Sequence, residues 1–116
     1  MSEYGSLQFY TINAQVILGT AGQVCVPTPI PGKVVNIKSA ISEALTTADE
    51  VLTFKNAAGS SMGAITITQS GSAVGDVDEL SPTSNNDVVE GGFIEIEMGG
   101  ENGTAAIANL SIIVRR

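Results

Sequence analysis

Apolar and polar residues alternate with a period of two along most of the chain, the pattern expected of half-buried β-strands. Residues 8–18 set Tyr10, Ile12, Ala14, Val16 and Leu18 on one side, with Gln8, Thr11, Asn13 and Gln15 mostly on the other or at the edge. Residues 64–69 alternate Ile65 and Ile67 with Thr66 and Thr68, and residues 93–98 alternate Ile94, Ile96 and Met98 with Glu95 and Glu97. The last strand, residues 105–114, is expected to bury Ala106, Ala108, Leu110, Ile112 and Val114. A short strand around residues 23–26 ends at Pro27-Thr28-Pro29-Ile30-Pro31, where the prolines remove backbone donors and halt ladder pairing. Residues 33–41 align Val35, Ile37, Ser39 and Ile41 against Val34, Asn36, Lys38 and Ala40, and apolar residues on both sides predict an interior strand.

Residues 41–52 are ambiguous, because Ile41, Ala44, Leu45, Ala48 and Leu52 also fit the spacing of an amphipathic helix. The adjacent β-branched Thr46 and Thr47 disfavour that helix, and Leu52 and Phe54 alternate with Thr53 and Lys55. The prediction is strand, loop and strand, with room for one helical turn near residues 42–45. Asn102-Gly103 tolerates the positive φ of a tight turn, so the strands before and after it are expected to be antiparallel neighbours. Thirteen glycines and four prolines punctuate a chain with no internal repeat. These features predict an all-β, single-domain antiparallel β-sandwich or jelly roll of about eight strands. Residues 11–116 form that domain and residues 1–10 an N-terminal arm.

Composition narrows the function classes. With three Phe, two Tyr and no Trp, the core must be aliphatic. The net charge is −7, and the basic residues are confined to Lys33, Lys38, Lys55, Arg115 and Arg116. Such a chain lacks the basic patch that nucleic acid requires, and an anionic membrane is disfavoured for the same reason. No segment approaches the roughly 20 apolar residues of a membrane helix. The opening MSEYGSLQFYT has no basic region followed by an apolar run, so it does not read as a secretory signal, and synthesis in a reducing cytoplasm is expected.

Histidine is absent, which removes Ser-His-Asp and Cys-His catalysis in the usual form and any Cys/His zinc cluster. Cys25, between Val24 and Val26, is expected to be a small semi-buried or interface-proximal residue and not a reactive thiol. Glu95 and Glu97 share a strand face, roughly 7 Å apart at their Cα atoms. A glycosidase also needs a cleft and aromatic platforms, so the pair reads as outward charge that blocks edge-to-edge pairing. No enzymatic activity and no cofactor are expected.

Residues 70–92 place Asp76, Asp78, Glu79, Asp87 and Glu90 among glycines, serines and asparagines. Asp76, Asp78 and Glu79, with Asn85, Asn86 and Asp87 nearby, are the one cation-site candidate, although they lack the ligand spacing of an EF-hand. The favoured reading is a long solvated loop in which Asp caps backbone donors and Gly71 and Gly75 supply unusual torsions, with a short strand at residues 87–89.

The succession PTPIPGKVVNI, ALTTADEVLTF, ITITQSGSAVGDVD and SPTSNNDVVEGG resembles that of small tailed-bacteriophage capsid decoration, or cement, proteins from about Asn13 to Arg116. The resemblance implies a homotrimer at threefold or quasi-threefold positions of an expanded icosahedral head. There it would clamp neighbouring subunits of the major capsid protein on the outer surface of the virion. Leu7, Phe9 and Tyr10 are the expected coat contacts, the alternative being that they open the first core strand. Ala40, Ser42 and Ala44 are small enough for close subunit packing and are the candidate trimer interface. Two rivals are a phage fibre-tip or receptor-binding module and a cellular carbohydrate-binding sandwich. The second would need an aromatic platform drawn from Tyr4, Phe9, Tyr10, Phe54 and Phe93.

Overall fold

The computed structural model describes residues 8–116. Nine strands follow in order: β1 (Phe9–Leu18), β2 (Gly22–Thr28), β3 (Gly32–Ile41), β4 (Glu50–Lys55), β5 (Ser61–Ile67), β6 (Val77–Leu80), β7 (Asp87–Val88), β8 (Gly92–Met98) and β9 (Ala106–Arg115). They form two antiparallel sheets, one in the order β1-β9-β3-β6 with β7 also on β3, the other β2-β8-β4-β5. The sheets face each other across an aliphatic core. Val16, Leu18, Ile37, Leu110 and Ile112 come from the first, and Leu52, Phe54, Ile65, Ile94 and Ile96 from the second, all essentially sealed from solvent. The period-two pattern therefore reports burial faithfully for β1, β8 and β9. Among the described residues no helix is long and apolar enough to cross a membrane.

β3 is an interior strand as its two-sided apolar pattern predicts, but its inward set differs from a strict alternation. The pairing with β9 shifts register between Val34 and Asn36. This bulge spends one residue, Val35, so Val34 faces the core together with Ile37, Ser39 and Ile41. Residues 42–49 form no helical turn.

β8 and β9 are not neighbours. β8 pairs with β2 and β4, whereas β9 pairs with β1 and β3 in the opposite sheet. The residues between them, 99–105, make an arch that crosses the core instead of a hairpin. Two buried polar side chains hold it. Glu50 is fully buried and accepts hydrogen bonds from the backbone N–H of Gly100 (2.8 Å) and Asn102 (3.0 Å). Asn102, equally buried, accepts at Oδ1 from the N–H of Thr46 and Thr47 and donates from Nδ2 to the Thr104 carbonyl at 2.7 Å. Asn-Gly supplies the positive φ at Gly103 as expected, yet the Asn side chain is committed to the neighbouring loop, and that commitment turns the chain across the sheets.

The acidic stretch is also more structured than a solvated loop. Its middle forms β6 on the edge of β3, with Ala40 opposite Val77 and Ile37 opposite Leu80. Ser72 bonds the backbone of Leu45 through its hydroxyl, the Gly75 N–H donates to the Ile41 carbonyl, and Asn86 is buried with Nδ2 donating to the Val34 carbonyl. Alternation could not reveal β6, because VDEL has a single apolar residue on its inner side and charges at its centre.

Candidate functional site

Asp76, Asp78 and Glu79 do not converge. Asp76 caps the turn before β6 by accepting from the Ala73 N–H at 2.8 Å. Glu79, on the outer side of β6, accepts from Asn36 Nδ2 at 2.9 Å and lies 3.6 Å from Lys38 Nζ, contacts that hold its carboxyl below the usual value. Asp78 is half-buried opposite Ser39, and desolvation first, then the charge of Asp76, raises its carboxyl above its ordinary value. Among the described residues no three His, Cys, Asp or Glu side chains gather in a geometry that would hold a metal ion.

A raised carboxyl means that folding favours the protonated form of Asp78. Its penalty is therefore absent below the ordinary value near 3.8 and grows as pH rises through the elevated native value. Asp78→Asn is expected to melt at a higher temperature than the parent at pH 7 and at the same temperature near pH 3. Thermal melts of both proteins at the two pH values check this, and Glu79, shifted downward, serves as the control of opposite sign.

The expected contact residues fall on different parts of the molecule. Leu7 lies outside the described residues. Phe9 opens β1 and leaves 59% of its surface exposed. Tyr10 turns inward, packs on the core, and donates its hydroxyl to the Ile30 carbonyl; burial pushes that hydroxyl above its usual range while Arg116 draws it down. Ala40 sits on the outer face of the first sheet between Asn109 and Val77. Ser42 follows at the end of β3, where its hydroxyl accepts from the Ile107 N–H. The sheet thus brings Ala40 and Ser42 to the neighbourhood of Ile17, Val77 and Ile107, whose side chains are exposed and nearly span its width. Ala44 lies apart, in the loop after β3.

Other side chains also depart from expectation. Cys25 is exposed on the outer face of β2, not semi-buried. Glu95 and Glu97 face outward, but β8 is an interior strand, so they block no edge; Glu97 pairs with Lys55 at 3.2 Å. The aromatic residues are dispersed: Phe9 projects from the first sheet, Phe93 from the second, and Phe54 lies in the core, so these three form no common platform.

The sandwich is open along one side. β1 and β2 are both edge strands, and a mostly apolar groove of about 620 Å³ runs between them, lined by Thr11, Ile12, Asn13, Val26, Pro27 and Thr28 with Glu90 at its margin. β1 carries no charge and no proline over its ten residues. The edge position of β1 follows from the sheet order, which period-two alternation does not encode.

The chain is a jelly-roll-like β-sandwich. Comparison with protein-family models finds no match, and comparison with curated proteins finds none. Among solved structures, it is similar to a chain of the acidic stable capsid structure of the Helicobacter pylori bacteriophage KHP30, with a TM-score of 0.54 and 9% identity over 96% of this chain and 94% of that one. It is also similar to the carbohydrate-binding module CBM36 in complex with calcium and xylotriose, with a TM-score of 0.49 and 18% identity over 90% and 88% of the respective chains. At 9% identity the likeness to the capsid chain is one of fold.

Proposed function

We propose that this protein is a non-enzymatic structural component of a bacteriophage head that decorates the outer surface of the shell and clamps neighbouring subunits of the major capsid protein. The observation that carries this reading is the end-to-end correspondence of fold with a chain of a phage capsid structure, over 96% of this chain and 94% of that one. The order of turn and strand segments supports it independently. A decoration protein needs a rigid body with exposed apolar contacts, which the sandwich supplies through Phe9, Ile17, Val77 and Ile107. It stabilises a shell by binding the assembled lattice better than free coat subunits. Three copies gathered at a threefold or quasi-threefold site multiply modest contacts through effective concentration. The acidic surface keeps decorated particles from adhering to one another.

The test is the composition of purified particles of the phage that encodes the chain, resolved on a denaturing gel and identified by mass spectrometry. A copy number within about threefold of the major capsid protein is expected from lattice-wide contact between symmetric sites. A few copies per particle would replace this reading with a fibre or vertex component, and absence from particles would exclude it.

A further inference from the structure

The free edge of β1 is built to pair with itself. In an antiparallel pair, successive residues direct their backbone N–H and C=O alternately to one neighbour and the other. The Arg116 N–H donates to the Gln8 carbonyl, and Gln8 is in phase with the even-numbered residues of β1. Those residues therefore bond β9, and Phe9, Thr11, Asn13, Gln15 and Ile17 aim theirs at the edge, where no strand of the described residues pairs with them. Edge strands of globular proteins are ordinarily blocked by lysine, proline or a bulge. β1 has none of these along ten residues and pairs with β9 without a shift in register.

The five outward positions read apolar, polar, polar, polar, apolar, the same in both directions. A second copy laid antiparallel with its twofold axis at Asn13 puts Phe9 opposite Ile17 of the second copy, Thr11 opposite Gln15, and Asn13 opposite Asn13. Each of these outward cross-strand pairs is then matched in character. Ile107 stands beside Ile17 on β9, so Phe9 of one copy extends an apolar row of two aliphatic side chains of the other. Charge points the same way: two chains of net charge −7 repel over most of their surfaces, and β1 is a neutral strip on which they meet. We propose that two copies of this chain associate through antiparallel β1–β1 pairing centred on Asn13, joining their first sheets into one continuous sheet and covering the neighbouring end of the β1–β2 groove. A shell with threefold sites has twofold axes between them, so this contact links copies on adjacent sites, and coat contact then falls to the exposed Val77 and the face around it.

The experiment is sedimentation equilibrium of the full chain, with circular dichroism melts to establish that each variant folds. The parent is expected to show a species of twice the protomer mass. Asn13→Lys sets two like charges opposite each other at the axis and is expected to weaken association at least about tenfold. The proposed register makes a sharper demand. Thr11→Lys with Gln15→Glu creates two matched ion pairs and should keep association within about threefold of the parent, whereas Thr11→Lys with Gln15→Lys should weaken it at least about tenfold. A parent that is monomeric up to about 100 µM overturns the proposal, as does a larger assembly whose mass ignores Asn13→Lys. Equal loss in the two double variants overturns the register and the proposal with it.

Discussion

Replacing Glu50 with alanine is expected to remove about 3–4 kcal/mol of folding stability, a large share of the margin of a domain this size. The carboxylate accepts from Gly100 and Asn102, two residues of the arch that carries the chain from one sheet to the other. Without it the Asn102 N–H is left unpaired in the interior and the Gly100 N–H unpaired at its half-buried margin, each costing about 1–3 kcal/mol. Glu50→Gln keeps the shape and one acceptor oxygen, and should cost about half as much. The variants differ in midpoint but not in slope when unfolded in urea if the native arch persists until global unfolding. A loss below about 1 kcal/mol for Glu50→Ala would show that the arch does not depend on this acceptor.

Glu50 also illustrates what the pattern of residues conveys and what it withholds. Alternation locates β1, β4, β8 and β9 to within a residue or two, because each has one face in the core and one in water. It places Val51 to Asn56 correctly as a strand, yet gives no sign that the acid preceding it is buried, since burial of a carboxylate depends on donors fifty residues away. The expected hairpin at Asn102-Gly103 fails for the same reason. The dipeptide encodes a positive φ, and positive φ serves a hairpin or an arch equally; the choice is made by the Asn102 side chain reaching Thr46 and Thr47.

The edge of β1 shows the limit for function. Phe9, expected as a coat contact, has an exposed side chain. Its neighbour Tyr10 has the opposite fate, since odd and even positions of a strand face opposite sides. Ala40 and Ser42 reach an exposed face that also holds Ile17 and Ile107, an assembly of residues from three strands that only sheet order brings together. Ser70 to Gly92 read as solvated because its composition is polar, but Ser72 and Asn86 spend that polarity on backbone groups of the body. Polar composition predicts hydrogen bonding, and water is one of several partners.

Gly100→Ala is expected to cost about 3 kcal/mol or more, whereas Gly103→Ala, three residues on, should cost about 1 kcal/mol. Both glycines hold a positive φ, +76° and +72°, so the intrinsic penalty of the left-handed region is shared. They differ in surroundings. A Cβ at Gly100 would lie 2.4 Å from the Ala21 nitrogen and 2.8 Å from the Thr20 carbonyl carbon, while one at Gly103 would meet nothing. The obstacles are backbone of the β1–β2 turn, which cannot swing aside as a flexible side chain would. The same turn presents Gly19 to the arch, where a Cβ would fall 2.4 Å from the Thr104 carbonyl oxygen. Turn and arch are thus in mutual backbone contact, and displacing one displaces the other. Because the turn joins the two edge strands that border the open groove, Gly100→Ala should also alter the relative position of β1 and β2. Hydrogen exchange would read this as faster exchange at Thr20 and Ala21 in Gly100→Ala but not in Gly103→Ala. Equal stability loss in the two variants would mean that torsion alone, and not the close packing of turn on arch, fixes glycine at position 100.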